Sequence, residues 1–312
     1  MTALIDEHAA VLVDEVRAAL DLRAGGYYVD ATFGRGGHTA RILETVGREG
    51  RVLALDRDPQ AIAAGRERFA NDLRLTLQHA TFSQLAVLVP AHAAGKPCAG
   101  VLFDLGVSSP QLDEPERGFS FRADGPLDMR MDPTHGEPVA AWLARAGVDE
   151  MREVIATLGE ERFARRVAQA IVTARERTPI TRTAQLAELV ARAVRTREPG
   201  KNPATRTFQA LRMFINDELG QLQTGLAGAL EVLAPGGRLA VISFHSLEDR
   251  AVKQFMARHS SADPALAHLP VLPPAAQPRM KLVGRKQRPT QAEVARNPRA
   301  RSALLRVAEK LA

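Results

Sequence analysis

The sequence has a single cysteine, Cys98, among 312 residues. It can therefore form no disulfide within the chain and no cluster of cysteine ligands around a metal. So little cysteine fits a reducing compartment. No stretch approaches the ~18 consecutive apolar residues of a membrane span, and residues 1–20 carry acidic groups in place of the basic start and apolar run of a signal peptide. These absences predict a cytoplasmic protein that does not contact a membrane.

Basic residues are unevenly distributed along the chain. The net charge is +6, yet the segment from Pro270 to Ala312 alone holds ten Lys or Arg residues against two Glu. The basic excess therefore lies in this tail. A tail of this charge is either a solvated terminal arm or a contact surface for a polyanion such as nucleic acid.

Short apolar segments alternate with segments of helical spacing over the first hundred residues. Such alternation builds a parallel sheet with helices on its faces, so it predicts an α/β fold. The first four predicted strands are Tyr27–Thr32, Arg51–Asp56, Arg74–His79 and Gly100–Leu105.

The pattern changes after the fourth strand. A long stretch rich in Gly, Pro, Ser and Asp predicts a functional loop, and the residues after it have helical spacing with no strand among them. A fifth strand at Arg238–Ser243 and a last strand at Ser302–Ala308 return the chain to the sheet. We therefore predict a discontinuous sheet domain at 1–134 and 220–312, interrupted by an all-helical domain at 135–219.

A glycine turn follows the first predicted strand. Asp30, Gly34 and Gly36 form the pattern D-x-x-x-G-x-G. Glycine lets the backbone approach a ligand closely, although the same pattern also occurs in plain strand-to-helix turns. A dinucleotide fingerprint needs a third glycine where Thr39 stands. An acidic residue four positions before the first glycine is instead typical of enzymes that use S-adenosylmethionine.

Asp56 and Phe82 occupy two further positions where such enzymes contact their cofactor. Asp56 ends the second strand, where a carboxylate can accept hydrogen bonds from two ribose hydroxyls. The alternative is a surface residue that precedes a helix. Phe82 follows the third strand, where its ring could lie against adenine. The alternative for Phe82 is packing in the core.

Asp104 ends the fourth strand, at the sheet edge where a substrate meets the cofactor. An exocyclic amine on a base is a weak nucleophile, and a carboxylate that accepts its hydrogens assists its attack on a methyl group. The sulfonium already makes that methyl group electrophilic, so no metal is required, and the enzyme mainly aligns the two reactants.

Two residue types that enzymes use to methylate other atoms of RNA are missing from this edge. Methylation at carbon 5 of a pyrimidine generally uses a cysteine nucleophile, but Cys98 precedes the fourth strand. Lysine-assisted methylation of a ribose 2′-oxygen needs a lysine at a strand end, and none of the six lysines ends the first or the fourth strand. Methylation of an amine fits best.

Several motifs spread over nearly the whole chain resemble those of the bacterial 16S ribosomal RNA cytosine-N4 methyltransferases, the MraW or RsmH family. The matching stretches are Thr32–His38, Asp56–Pro59, Asp104–Leu112, Arg117–Phe121, Gly125–Met131, Gly159–Arg162, Asn202–Gln209, Ile242–Asp249 and Asn297–Arg299.

This resemblance implies a Rossmann-like S-adenosylmethionine methyltransferase sheet with an inserted helical domain. It also implies a cytidine in the decoding region of 16S rRNA, within the small ribosomal subunit, as the substrate. The cofactor contacts that it implies are Gly36, Gly37, His38, Asp56, Phe82, Asp104 and Gln111.

We predict Asp104, Ser108 and His245 as the catalytic residues. His245 follows the fifth strand, where it either lines the substrate pocket or makes a structural hydrogen bond. His38 begins a helix beside the glycines, where it either contacts the ligand or caps that helix.

Two other functions remain as alternatives. One is a nicotinamide-dependent oxidoreductase on a similar sheet, which the missing third glycine disfavours. The other is an RNA-binding assembly factor that only retains the pocket. The sequence leaves open whether the protein is a monomer or a homodimer.

Overall fold

The computed structural model describes residues 10–194, 202–262 and 276–312, together with residues 266, 271 and 273. The first nine residues, on which the prediction about a signal peptide partly rests, lie outside the described residues, as do a few positions of the basic tail. The chain divides into two compact units, one comprising residues up to Gly106 and from Leu219 onward and the other comprising Val107–Glu218. No helix in the described part is both long and apolar enough to cross a membrane.

A single sheet organises the first unit. In the described residues its strands are β1 Tyr27–Asp30, β2 Arg51–Asp56, β3 Leu75–His79, β4 Cys98–Asp104, β5 Leu233–Ser243, β6 Met280–Leu282 and β7 Leu304–Lys310. They lie in the order β3-β2-β1-β4-β5-β7-β6. The first five strands are parallel, and β7 runs antiparallel between β5 and β6. This arrangement confirms the predicted α/β fold with a Rossmann-like sheet.

Helices cover both faces of this sheet. In chain order they are α1 Val13–Leu20, α2 Gly37–Val46, α3 Pro59–Arg68 and α4 Leu85–His92, and after the second unit α11 Glu218–Val232, α12 Ser246–His259 and α13 Gln291–Arg296. Side chains of a strand alternate between the two faces. Tyr28 and Leu102 therefore pack with α1 and α2, whereas Tyr27 and Phe103 pack with α4, α11 and α12.

The second unit is helical and has a core of its own. Its helices are α5 Ser109–Asp113, α6 Val139–Arg145, α7 Val148–Gly159, α8 Ala164–Arg175, α9 Thr183–Ala193 and α10 Thr205–Ile215.

This unit begins at Val107, whereas the sequence predicted a start at 135. The difference arises because the glycine- and proline-rich stretch is part of the helical core. Met129 and Met131 are buried in that core. Asn216 fixes both, since its Nδ2 donates to the Met129 carbonyl at 2.7 Å and its Oδ1 accepts from the Met131 amide at 2.8 Å.

Candidate active site

Three carboxylates lie at the carboxyl ends of three neighbouring strands in the first unit. Asp56, Asp30 and Asp104 end β2, β1 and β4. The register pairs Asp30 with Ala54 and with Leu102, so Asp56 and Asp104 each extend two residues beyond it. The strand order reverses between β1 and β4, and open α/β sheets bind ligands at such a switch point. The structure thus brings these three predicted residues together at one edge.

The glycine turn joins β1 to α2 at this edge. Gly36 has a φ of +73°, and a Cβ there would lie 2.7 Å from the Phe33 ring. Gly34 has a φ of +55°, but a Cβ on it would meet only the Thr32 carbonyl, at 4.0 Å. The backbone at Gly34 is therefore open to a ligand. Its amide donates to Asp56 Oδ2 at 2.7 Å, which fixes the turn to the end of β2.

Asp56 has both carboxylate oxygens engaged by backbone amides. Besides the bond from Gly34, Oδ1 accepts from the Asp58 amide at 2.8 Å. Burial raises the pKa of Asp56 to about 6, and the two backbone hydrogen bonds offset only part of that effect. Each carboxylate oxygen retains a second lone pair. Asp56 can therefore still accept hydrogen bonds from a vicinal diol such as that of a ribose.

Asp30 is buried and makes internal hydrogen bonds. Its Oδ2 accepts from the Thr39 hydroxyl at 2.6 Å, and its Oδ1 accepts from the Thr32 amide at 3.2 Å. Burial raises the pKa of Asp30. Sequence reasoning used Thr39 only as a missing glycine and did not identify it as this partner. The available signal was a hydroxyl residue in the first turn of the helix that follows a buried acid.

His38 and Asp104 face each other across the switch point. His38 Nε2 lies 3.6 Å from Asp104 Oδ2. Burial acts to lower the pKa of His38, but the Asp104 and Asp30 carboxylates outweigh it, so the pKa is raised. The Asp104 amide donates to Thr32 Oγ1 at 2.6 Å, which holds the end of β4 against the turn.

Asp104 Oδ1 is buried and has no hydrogen-bond partner among the described residues. Buried acceptors in folded proteins almost always have a donor. A ligand that brings a hydrogen-bond donor to this position would satisfy the free oxygen. The residues at this edge therefore fit a polar cofactor or substrate.

Phe82 begins a short 3₁₀ turn after β3. Its ring packs edge-on against Phe103, with centroids 5.3 Å apart. On another side it contacts α11 so closely that a Cβ on Gly225 would lie 2.7 Å from the ring. The ring is half-buried, so it packs on the core with one part accessible. Its contact with adenine stays a prediction.

His245 caps α12. Its Nδ1 accepts from the Glu248 amide at 3.4 Å, and its Nε2 lies 3.1 Å from Glu248 Oε1. The second oxygen of that buried carboxylate accepts from the Phe244 amide at 2.8 Å. These contacts are of the structural kind that was the alternative for His245. A catalytic role for this residue stays a prediction.

Ser108 and Gln111 belong to the second unit. There they form a capping box at the start of α5, in which Gln111 Oε1 accepts from the Ser108 amide at 3.0 Å. Gln111 is buried. The catalytic role of Ser108 and the cofactor contact of Gln111 stay predictions.

Comparison with known proteins identifies the family. Residues 6–311 match the MraW methylase family. Ribosomal RNA small subunit methyltransferase H of Dechloromonas aromatica (strain RCB) is 57% identical over 309 residues, which cover 97% of this chain and 98% of that protein. The protein of the same name from Shewanella amazonensis is 53% identical over 306 residues and covers 97% of each chain. A solved structure of a putative methyltransferase from Streptococcus mutans in complex with SAH is 13% identical, with a TM-score of 0.44, and covers 96% of this chain and 97% of its own. The chain therefore belongs to the MraW methylase family, as its motifs predicted.

Proposed function

We propose that the protein methylates the N4 amine of a cytidine in the decoding region of 16S rRNA, within the small ribosomal subunit. As a member of a methylase family it uses S-adenosylmethionine as the methyl donor. The names of its full-length relatives support ribosomal RNA of the small subunit as the substrate. An enzyme with this substrate works in the cytoplasm.

We choose an amine as the group that is methylated because Asp104 Oδ1 has no hydrogen-bond partner among the described residues. This oxygen is a buried acceptor at the switch point, beside the glycine turn. An exocyclic amine offers two hydrogens to such an acceptor, whereas a ring carbon offers none. The only cysteine, Cys98, lies at the opposite end of β4, and burial raises its pKa to about 12. A cysteine with this environment does not supply a thiolate nucleophile at neutral pH.

The same edge would hold the cofactor. Asp56 would accept hydrogen bonds from the ribose hydroxyls, and the open backbone at Gly34 would admit the ligand beside it. Phe82 would lie against the adenine. When bound, S-adenosylmethionine supplies an electrophilic methyl group on its sulfonium. The residues of the chain then have to align the amine with that group and accept its proton.

Asp104 is the group that would accept this proton. Its carboxylate would accept a hydrogen bond from the amine and orient the nitrogen lone pair toward the methyl group, whose bond to sulfur would break as the N–C bond forms. The nitrogen would then lose one proton, which the Asp104 carboxylate would accept. His38 Nε2 faces the same carboxylate at 3.6 Å, and the Asp104 and Asp30 carboxylates raise the pKa of His38 against the effect of its burial.

Mass spectrometry of 16S rRNA from a strain without this gene tests the proposal. We expect a single N4-methylated cytidine to lose its methyl group, and the wild-type gene to restore it. Persistence of the methylation in the deletion strain would exclude the proposed activity. In that case, a defect in subunit assembly with unchanged methylation would favour an RNA-binding assembly factor.

A further inference from the structure

The chain between β6 and β7 lies at the same edge of the sheet as the candidate active site. We call residues 283–303 the β6–β7 segment. β7 begins at Leu304, which pairs with Ser243, the last residue of β5. On the β6 side of β7, Leu282 pairs with Ala308 and Gln287 pairs with Leu305. The segment therefore leaves and rejoins the sheet where the parallel strands end.

This segment holds much of the basic excess of the tail. Its only acid is Glu293, whose Oε1 accepts from the Leu12 amide at 2.7 Å. In the described part of the chain, no ion pair involves Arg285, Arg288, Arg296 or Arg301. The basic side chains of the segment are all exposed: Arg285, Lys286, Arg288, Arg296, Arg299 and Arg301.

The second half of the β6–β7 segment is fixed beside elements of the active edge. Ala300 is buried among residues of α1 and α2. The Glu293 bond to Leu12 holds α13 against the chain just before α1, and Ala10 in that chain would lie 2.8 Å from a Cβ on Gly37. Helix α13 is thus held next to the glycine turn.

The first half of the segment lies near the start of α12. Asp249 in the first turn of α12 receives two hydrogen bonds, at 2.7 and 3.0 Å, from Arg306 of β7, whose neighbour Leu305 pairs with Gln287 of the segment. These bonds are the main cause of its lowered pKa, and the positive charge of Lys286 lowers it further. The segment therefore extends along the edge from α2 to α12.

Three basic residues at the opposite edge of the sheet have acidic partners. Arg23 pairs with Asp21, and Glu309 pairs with both Arg238, at 3.4 Å, and Lys281, at 2.7 Å. Their charge is therefore partly neutralised, whereas Arg285, Arg288, Arg296 and Arg301 of the β6–β7 segment belong to no ion pair of the described residues.

We propose that the β6–β7 segment binds the phosphate backbone of the RNA that flanks the target nucleotide. Guanidinium groups match phosphate oxygens in a bidentate geometry. The segment contains no aromatic residue on which a base could stack. It therefore positions the RNA and does not read its sequence. This inference rests on the proposed function, because it assumes an RNA substrate at this edge.

Two triple variants that lose equal charge test the proposal. The first is Arg285→Gln with Arg288→Gln and Arg296→Gln. The control, at the opposite edge, is Arg23→Gln with Lys281→Gln and Arg48→Gln, the last at an exposed position between α2 and β2. The measurement is equilibrium binding to small ribosomal subunits that lack the methylation, at several salt concentrations.

We expect the first variant to bind on the order of tenfold more weakly at physiological salt. Its plot of log K against log salt should be shallower by about 2, since each lost phosphate contact removes ~0.7 from the slope. The KM for subunits should rise, while kcat and the affinity for S-adenosylmethionine stay unchanged. The control should bind like the wild type, and the matching Arg→Lys triple should restore most of the binding.

The outcomes separate this inference from the proposed function. If the wild type methylates subunits and both triple variants bind them equally well, the β6–β7 segment is not the docking surface. If the wild type neither binds nor methylates subunits, the proposed function itself fails. A lower affinity for S-adenosylmethionine in the first variant would also overturn the inference, because the substitutions would then act on the cofactor site.

Discussion

Charged residues are arranged differently at the two ends of the parallel strands in the first unit. We call the end that carries Asp30, Asp56 and Asp104 the carboxyl edge and the opposite end the amino edge. At the amino edge, acids and bases pair, as Glu309 does with Lys281 and Arg238. At the carboxyl edge, the buried Asp30 and the partly buried Asp56 have no Lys or Arg partner among the described residues, and Asp104 faces His38. Unbalanced buried charge lowers stability and is retained where a ligand uses it. This contrast supports the proposal that the carboxyl edge binds the ligands.

The largest effect should come from Asp104. Asp104→Asn keeps the shape of the side chain but removes the carboxylate that accepts the amine hydrogen. We expect methyl transfer to small subunits to fall by about 10²–10⁴-fold, the range for loss of a positioned acid or base. Labelled methyl incorporation measures this, with Asp21→Asn at the amino edge as the control. Equal rates for the two variants would remove the distinction between the edges.

The second largest effect should come from Asp56. Asp56→Asn replaces a charged acceptor by a neutral amide, so we expect binding of S-adenosylmethionine to weaken about ten- to a hundredfold, because hydrogen bonds to charged groups contribute ~1.5–3 kcal/mol. Calorimetric titration measures the affinity. An unchanged dissociation constant would show that Asp56 does not contact the ligand.

The pH dependence of this site follows from the same carboxylate. Burial raises the pKa of Asp56 to about 6 from 3.8. Binding of S-adenosylmethionine by the wild type should therefore weaken as pH falls through 6. Because the native state binds the extra proton between these two pKa values, the free energy of unfolding of the free enzyme should fall as pH rises from about 4 to about 6. Asp56→Asn should remove the part of the pH dependence of binding and of stability that this carboxylate causes. Plots of either quantity against pH that run parallel for the wild type and the variant would contradict this.

A smaller effect on stability should come from Thr39. Thr39→Val removes the hydroxyl that donates to the buried Asp30 carboxylate at 2.6 Å. An acceptor left unsatisfied in the interior costs about 1–3 kcal/mol. Urea unfolding of Thr39→Val and Thr39→Ser gives the difference, since serine keeps the hydroxyl. If the valine variant is as stable as the serine variant, the hydrogen bond to Asp30 contributes nothing to the free energy of unfolding.

The smallest effect should come from the amino edge. Lys281→Gln removes a partly exposed ion pair with Glu309. Such pairs contribute ~0–1 kcal/mol because solvent screens them. We expect thermal denaturation to change little and methyl transfer not to change at all. A clear loss of activity here would mean that charge at both edges serves the reaction.

The sequence predicted the parallel strands because each is a short apolar run, and three of them carry an acid at or near their carboxyl end. In the structure β1, β2 and β4 end at these acids, Asp30, Asp56 and Asp104, although the first strand was predicted to continue to Thr32. β6 was not predicted because two of its three residues, Lys281 and Leu282, are exposed, so no apolar pattern marks it. It exists only because β7 offers it a partner.

Side-chain partners were less predictable than strands. The pairing of Thr39 with Asp30 depends on the angle at which α2 leaves the turn, which no local pattern encodes. The position of His245 after β5 left open whether it lines a pocket or makes a structural hydrogen bond, and only the structure shows that its imidazole caps the next helix. The start of the second unit was misplaced because glycine and proline marked the stretch as a loop, whereas buried residues such as Leu127 and Met129 make it part of a core.

The insertion also sets the order in which the protein can fold during synthesis. β4 lies between β1 and β5, but the ribosome makes the whole second unit before it reaches β5. At ~5–20 residues per second this delay is on the order of ten seconds. During this delay the apolar strand β4 has no strand to pair with on the side that β5 later occupies. We expect nascent chains that stop before β5 to need chaperones, while the second unit behind them already has all the residues of its own core.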